Sequence, residues 1–134
     1  MNFKIIKSKL SEPLSLLASV AESRQSIPIL SNILIKAEND LITLIATDLE
    51  IELSFKIACD SISEPGETTV SARKIFDLTR SLPDETSLEF MLKDNQLIVT
   101  ALKFNGEFAI LPIQDFPVVE IEKFDLETTF NGKV

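Results

Sequence analysis

Glu38-Asn39-Asp40-Leu41-Ile42-Thr43 is answered 56 positions later by Asp94-Asn95-Gln96-Leu97-Ile98-Val99, and Leu34-Ile35 just before the first stretch is answered by Phe90-Met91. In both copies a polar, turn-forming cluster leads into aliphatic and β-branched residues, the pattern of a tight turn entering a strand. Such self-similarity in a chain of 134 residues implies an internal duplication, and a duplicated unit constrains the fold more than any single element does.

Working outward, the first copy is flanked by Asn32–Ala37 before the turn, Leu41–Thr47 after it, and Glu50–Ala58, where Ile51, Leu53, Phe55 and Ile57 alternate with Glu50, Glu52, Ser54 and Lys56. Alternation at period two predicts strands, the last with one wet face. Upstream, Leu10, Leu14, Leu17 and Ala21 recur at steps of four, three and four, which predicts an amphipathic helix over residues 8–22. Ser8 and Ser11 are both candidate caps, and Pro13 fits the first turn, where its missing N–H is least harmful. The second copy repeats the order: a strand over 67–71, a helix over 72–82 with Ile75, Leu78 and Leu82 on its apolar face and Pro83 closing it, then strands at 87–93, 96–101 and 107–111. Two strand–helix–three-strand units predict an α+β domain, with two helices packed on one side of antiparallel sheets and the opposite sheet face solvated.

A single domain of this length buries roughly two-thirds of the surface its unfolded chain exposes. With 45% hydrophobic and 25% charged residues, the chain reads as an ordinary folded, soluble domain. No apolar run approaches the roughly 18 residues of a membrane span, and Met1-Asn2-Phe3-Lys4-Ile5 is not the start of a signal peptide; the expected compartment is the cytoplasm. Cys59 is the only cysteine, so no internal disulfide forms, and its apolar-alternating context places it in the core. After Phe116-Pro117 the composition turns acidic. Residues 1–117 are therefore read as one domain and 118–134 as a linker with the start of a further one.

The chain has no histidine, no glycine-rich phosphate loop and no cysteine pair, which removes the commonest general base, Cys/His metal sites and nucleotide-binding loops. Neither catalysis nor a cofactor is expected. Asp48, Glu50 and Glu52 could offer oxygen ligands to a hard cation, but charge on the wet face of a strand is ordinarily just solvated. The nine phenylalanines fall mostly on apolar stripes and read as core rather than as base-stacking platforms.

A net charge of −8 argues against nucleic acid unless the basic residues gather on one face. Arg73 and Arg80, seven positions apart and so about two helical turns, project on one side of the second helix; Lys74 lies next to Arg73, and Lys7, Lys9 and Arg24 bracket the first helix. If both helices lie on the same side of the sheets, these groups form one basic surface. The rival reading is an acidic protein-interaction module that never contacts DNA; a carboxylate enzyme is a distant third.

Five motifs decide between them: Arg24-Gln25-Ser26-Ile27-Pro28-Ile29-Leu30-Ser31-Asn32, Ala46-Thr47-Asp48-Leu49-Glu50, Glu64-Pro65-Gly66, Val70-Ser71-Ala72-Arg73-Lys74 and Leu111-Pro112-Ile113-Gln114-Asp115-Phe116-Pro117. In order and spacing the chain resembles the first domain of the beta subunit of bacterial DNA polymerase III, the DNA sliding clamp. The resemblance implies the DNA-clamp fold and a non-enzymatic processivity factor. Two head-to-tail subunits of three domains each would form a homodimeric ring around double-stranded DNA, helices inside. The polymerase III catalytic subunit and the clamp loader would be engaged through later domains. It also implies that Arg24, Arg73 and Arg80 face DNA in loose, sequence-independent phosphate contact. Lys74, and more weakly Lys103, would stand at the subunit interface against the acidic edge of the partner's third domain. The chain departs from the family where a Ser-Arg-Phe-like segment is replaced by Lys103-Phe104-Asn105-Gly106-Glu107-Phe108, with the loss of one arginine.

Overall fold

The computed structural model describes residues 1–21, 26–102 and 104–117. Along the chain these form β1 (Asn2–Ile6), a 3-10 turn (Lys7–Lys9), α1 (Ser11–Ala21), a 3-10 turn (Pro28–Ser31), β2 (Asn32–Glu38), β3 (Leu41–Thr47), β4 (Glu52–Ala58), β5 (Ser61–Glu64), β6 (Gly66–Ser71), α2 (Ala72–Arg80), β7 (Ser87–Lys93), β8 (Gln96–Ala101), β9 (Phe104–Leu111) and a 3-10 turn (Ile113–Asp115). The duplicated unit is present as β1-α1-β2-β3-β4 and β6-α2-β7-β8-β9, with β5 as an additional short strand.

Strand order is β4-β3-β2-β6-β9-β8-β7-β1-β5, with every pairing antiparallel. Each unit thus lends its first strand to the other: β6 adds to the β2-β3-β4 meander, and β1 adds to β7-β8-β9. The seam lies at β9, whose Phe104–Ala109 pair with β8 while Ile110 and Leu111 pair with β6. Buried Thr69 pins this seam, donating from Oγ1 to the Leu111 carbonyl at 2.8 Å and accepting from Asn32 Nδ2 at 3.1 Å.

The two hairpins that announced the duplication are two-residue turns, pairing Glu38 with Leu41 and Lys93 with Gln96. Asn39, Asp40 and Asp94 take positive φ of 51°, 66° and 54°; Asn and Asp bear that conformation at lower cost than other L-residues, which is why they mark the turns.

Leu10, Leu14, Leu17 and Ala21 are all buried, in one continuous core with Ile33, Ile35, Ile42 and Leu44 of β2 and β3 and Ala72 and Ile75 of α2. The two helices pack against each other on that side of the sheets, as the stripes predict. α1 starts later than expected, because the Leu10 amide closes a 3-10 turn onto the Lys7 carbonyl at 2.9 Å before α-helical bonding begins. Ser11 does not cap it: its hydroxyl donates back to the Lys7 carbonyl at 3.4 Å.

Further differences from the sequence reading have local causes. β4 begins at Glu52 rather than Glu50, since the Asp48 carboxylate accepts from the amides of Glu50 (2.9 Å) and Ile51 (3.0 Å) and bends the backbone through Leu49, φ 81°. β9 begins at Phe104 rather than Glu107. Gly106, poor in strand propensity, sits between Phe104 and Phe108 on one face, and a Cβ there would meet the Phe108 ring at 3.1 Å; the bare backbone accommodates the two rings. The face away from the helices is not simply solvated: Ile29, Leu30 and Phe116 bury a second cluster over Leu34, Ile45 and Leu111. Gly66, the glycine of the Glu64-Pro65-Gly66 motif, lies against the N-terminus, where a Cβ would stand 2.9 Å from Met1 Cβ.

Cys59 is half-buried against the core rather than fully inside it, with Sγ 3.7 Å from the Asp40 carbonyl oxygen. Burial first, then the Asp40 carboxylate, pushes its thiol above the ordinary value. Because the thiolate is the nucleophile, a raised value leaves less of it at neutral pH. Labelling by a thiol reagent should therefore be slower than for free cysteine, with the rate rising to a higher pH; a rate that levels off near neutrality would contradict this.

Candidate nucleic-acid and subunit interface

The chain turns from β6 into α2 at Ser71, whose Oγ accepts from the Lys74 amide at 3.2 Å and caps the helix. Ala72, Ile75 and Thr79 are buried beneath the helix, leaving Arg73, Lys74, Asp77 and Arg80 exposed. Seven steps of 100° return to within about 20° of the start, so Arg73 and Arg80 share a face, while Lys74 points about 100° away from Arg73.

The two arginines are not independent. Asp77 stands between them, its Oδ2 3.7 Å from Arg73 Nε and its Oδ1 3.3 Å from Arg80 Nη2. The Arg80 guanidinium also lies over the Phe76 ring, 5.3 Å from its centroid, a cation–π arrangement. The sequence reading missed Asp77; its spacing of i+4 from Arg73 and i−3 from Arg80 carries the signal.

Lys74 has different neighbours. It lines a groove with Pro28, Ser31, Asn32, Phe108 and Ile110, between the turn before β2 and β9. Among the described residues, Phe104–Ala109 of β9 pair with β8 on one side only, and an unpaired strand edge is a template for another strand. The structure thus brings Lys74 to the segment in which the chain departs from the family pattern, and separates it from the Arg73/Arg80 face.

Of the other expected members of the basic surface, Lys7 is withdrawn from it and Lys9 is exposed but bonded to backbone. Lys7 is buried, its Nζ donating to Asp84 Oδ1 at 3.1 Å, and Lys9 Nζ donates to the Ala58 carbonyl at 3.1 Å; a lysine's long stem lets its charge reach a partner well away from its own backbone. Arg24 and Lys103 lie outside the described residues. Asp48 spends its carboxylate on the turn described above, and among the described residues no group of three or more His, Cys, Asp or Glu is gathered for a metal ion. Nor, among these residues, is any helix long and apolar enough to cross a membrane.

Residues 1–120 match the family model described as DNA polymerase III beta subunit, N-terminal domain. A Pseudomonas aeruginosa protein named beta sliding clamp is 40% identical over 120 residues, 90% of this chain and 33% of that protein. A Vibrio harveyi sequence of the same name is 35% identical over 129 residues, 96% of this chain and 89% of that sequence. Among solved structures, a P. aeruginosa DnaN sliding clamp bound to griselimycin superposes with a TM-score of 0.87 at 39% identity, covering 94% of this chain and 34% of that one. Caulobacter crescentus pol III beta gives 0.85 at 35% identity, covering 90% and 32%. The chain spans about a third of the length of the P. aeruginosa relative. With its fold, its duplicated unit and these matches in agreement, the chain belongs to the family of DNA polymerase III beta subunits, as their N-terminal domain.

Proposed function

We propose that this chain is the first domain of a cytoplasmic, ring-shaped sliding clamp, a non-enzymatic processivity factor that encircles duplex DNA without sequence specificity and tethers the replicative polymerase. Residues 1–117 form the domain, and 118–134 lead toward the next. The observation that carries the reading is the exposed Arg73/Arg80 pair on one face of α2, in a chain of this family. Guanidinium groups so placed contact phosphates, which position a protein on duplex without reading its bases. Arg24 belongs to the same DNA-facing set. Lys74, beside the edge of β9, and Lys103 belong to the contact with a second subunit. The polymerase and the clamp loader bind through later domains. The rival acidic interaction module is not favoured, since it gives no account of the paired arginines.

The test is made on the full-length ring. Arg24→Ala, Arg73→Ala and Arg80→Ala should each weaken duplex contact equally for all sequences and lower the slope of log affinity against log salt by about one unit or less. Stability should stay within about 0.5 kcal/mol, as for exposed positions generally. Loss confined to particular DNA sequences would contradict a sliding contact.

A further inference from the structure

We infer that Asp77 is a positioning residue that keeps the α2 contact with DNA weak. The inference rests on the DNA-facing reading of α2 given above. One carboxylate spans both guanidiniums, at 3.7 Å from Arg73 Nε and 3.3 Å from Arg80 Nη2. The three side chains are each about half exposed, at 51%, 46% and 59%, and ion pairs so well solvated add little to stability. The helix has other supports: the Ser71 cap and the buried Ala72, Ile75 and Thr79. The carboxylate is therefore dispensable to the fold, and its effect falls on what approaches the arginines.

A phosphate nearing this face meets a like charge within ion-pair distance of both its partners. Asp77 also occupies part of each guanidinium's donor fork, so full bidentate capture of a phosphate would require displacing it. Arg80 is held besides over the Phe76 ring, which limits its freedom to swing clear. A ring moving along a uniform row of phosphates must break and remake each contact at every step, and a contact attenuated by its own neighbour makes that step easier. Removing the carboxylate raises the net charge of the trio by one and removes the like charge held against both guanidiniums.

The experiment tracks full-length rings loaded on circular duplex DNA and reads their diffusion across a salt series, for wild type, Asp77→Asn, Asp77→Glu and the double variant Arg73→Ala/Arg80→Ala. One further phosphate neutralised steepens the salt slope by about 0.9. The ratio of Asp77→Asn to wild-type contact lifetime should accordingly grow about 3.5-fold as salt falls fourfold. Asp77→Glu should restore fast diffusion, and the unfolding midpoint of all three single-site and wild-type proteins should coincide, a result that a structural role for the carboxylate would not give. Should Asp77→Asn diffuse as fast as wild type or faster while the double arginine variant loses contact, the Asp77 role is overturned and the DNA-facing reading stands. Slow diffusion in both Asp77→Asn and Asp77→Glu would also overturn it, since charge would not be the cause. If the double arginine variant is itself indistinguishable from wild type, α2 does not face DNA and the reading beneath the inference fails with it.

Discussion

Lys74→Glu in the full-length protein is expected to open the ring, whereas Arg73→Glu one residue away leaves it closed. The reason is the 100° turn between neighbouring helical residues: Lys74 lines the groove beside Phe108 and Ile110 of β9, and Arg73 stays on the Asp77/Arg80 face. Against the acidic partner edge that the family resemblance implies, a glutamate at 74 sets like charges together. Such juxtapositions cost several kcal/mol, and about 3 kcal/mol is already a weakening on the order of 100-fold in dissociation constant. Sedimentation over a concentration series gives subunit dissociation, and retention on circular DNA gives the duplex contact. Arg73→Glu should lower retention and leave dissociation unchanged. A Lys74→Glu ring as tight as wild type, paired with a dissociated Arg73→Glu, would show that the two roles are reversed.

The second large effect is within the domain. Phe3→Ala should cost about 4 kcal/mol, since emptying a buried phenylalanine site removes transfer energy and leaves a cavity. Phe3 is 2% exposed and stacks on Phe90 with centroids 4.8 Å apart and planes within 9°. The pair faces across β1 and β7, so it joins the first unit to the second. Against a total stability of about 5–15 kcal/mol for such domains, the loss is large and should move the urea midpoint far to lower concentration. A double-mutant cycle with Phe90→Ala should give a coupling of about 1 kcal/mol. A Phe3→Ala loss below about 1.5 kcal/mol would mean that the site collapses around the gap and that β1 is not anchored as described.

What was legible in the chain was whatever rests on local pattern. The stripe Leu10, Leu14, Leu17, Ala21 identified α1, and the turn residues at 39–40 and 94–95 delimited β2, β3, β7 and β8. β5 was missed, since Ser61-Ile62-Ser63-Glu64 carries one apolar residue in four, and β1 was implied by the repeat order but given no bounds, because Asn2–Ile6 finds its partner far away at Ser87–Met91. Strand exchange was invisible, since two similar copies look alike whichever meander each first strand joins. In the site, the seven-residue spacing placed Arg73 and Arg80 on one face, but the removal of Lys7 from the surface depends on Asp84, 77 positions away. No periodicity reports such a pairing.

The exchange of first strands also sets a timetable for synthesis. β1 ends at Ile6, whereas β7, the strand on which Phe3 stacks, ends at Lys93, 87 residues later. At about 5–20 residues per second, β1 waits several seconds with Phe3 and Ile5 uncovered, and β5 can occupy only one of its edges meanwhile. The first meander waits likewise for β6. Neither copy of the repeat is a nascent folding unit, so the duplication visible in the sequence does not mark a stage at which half of the domain stands alone.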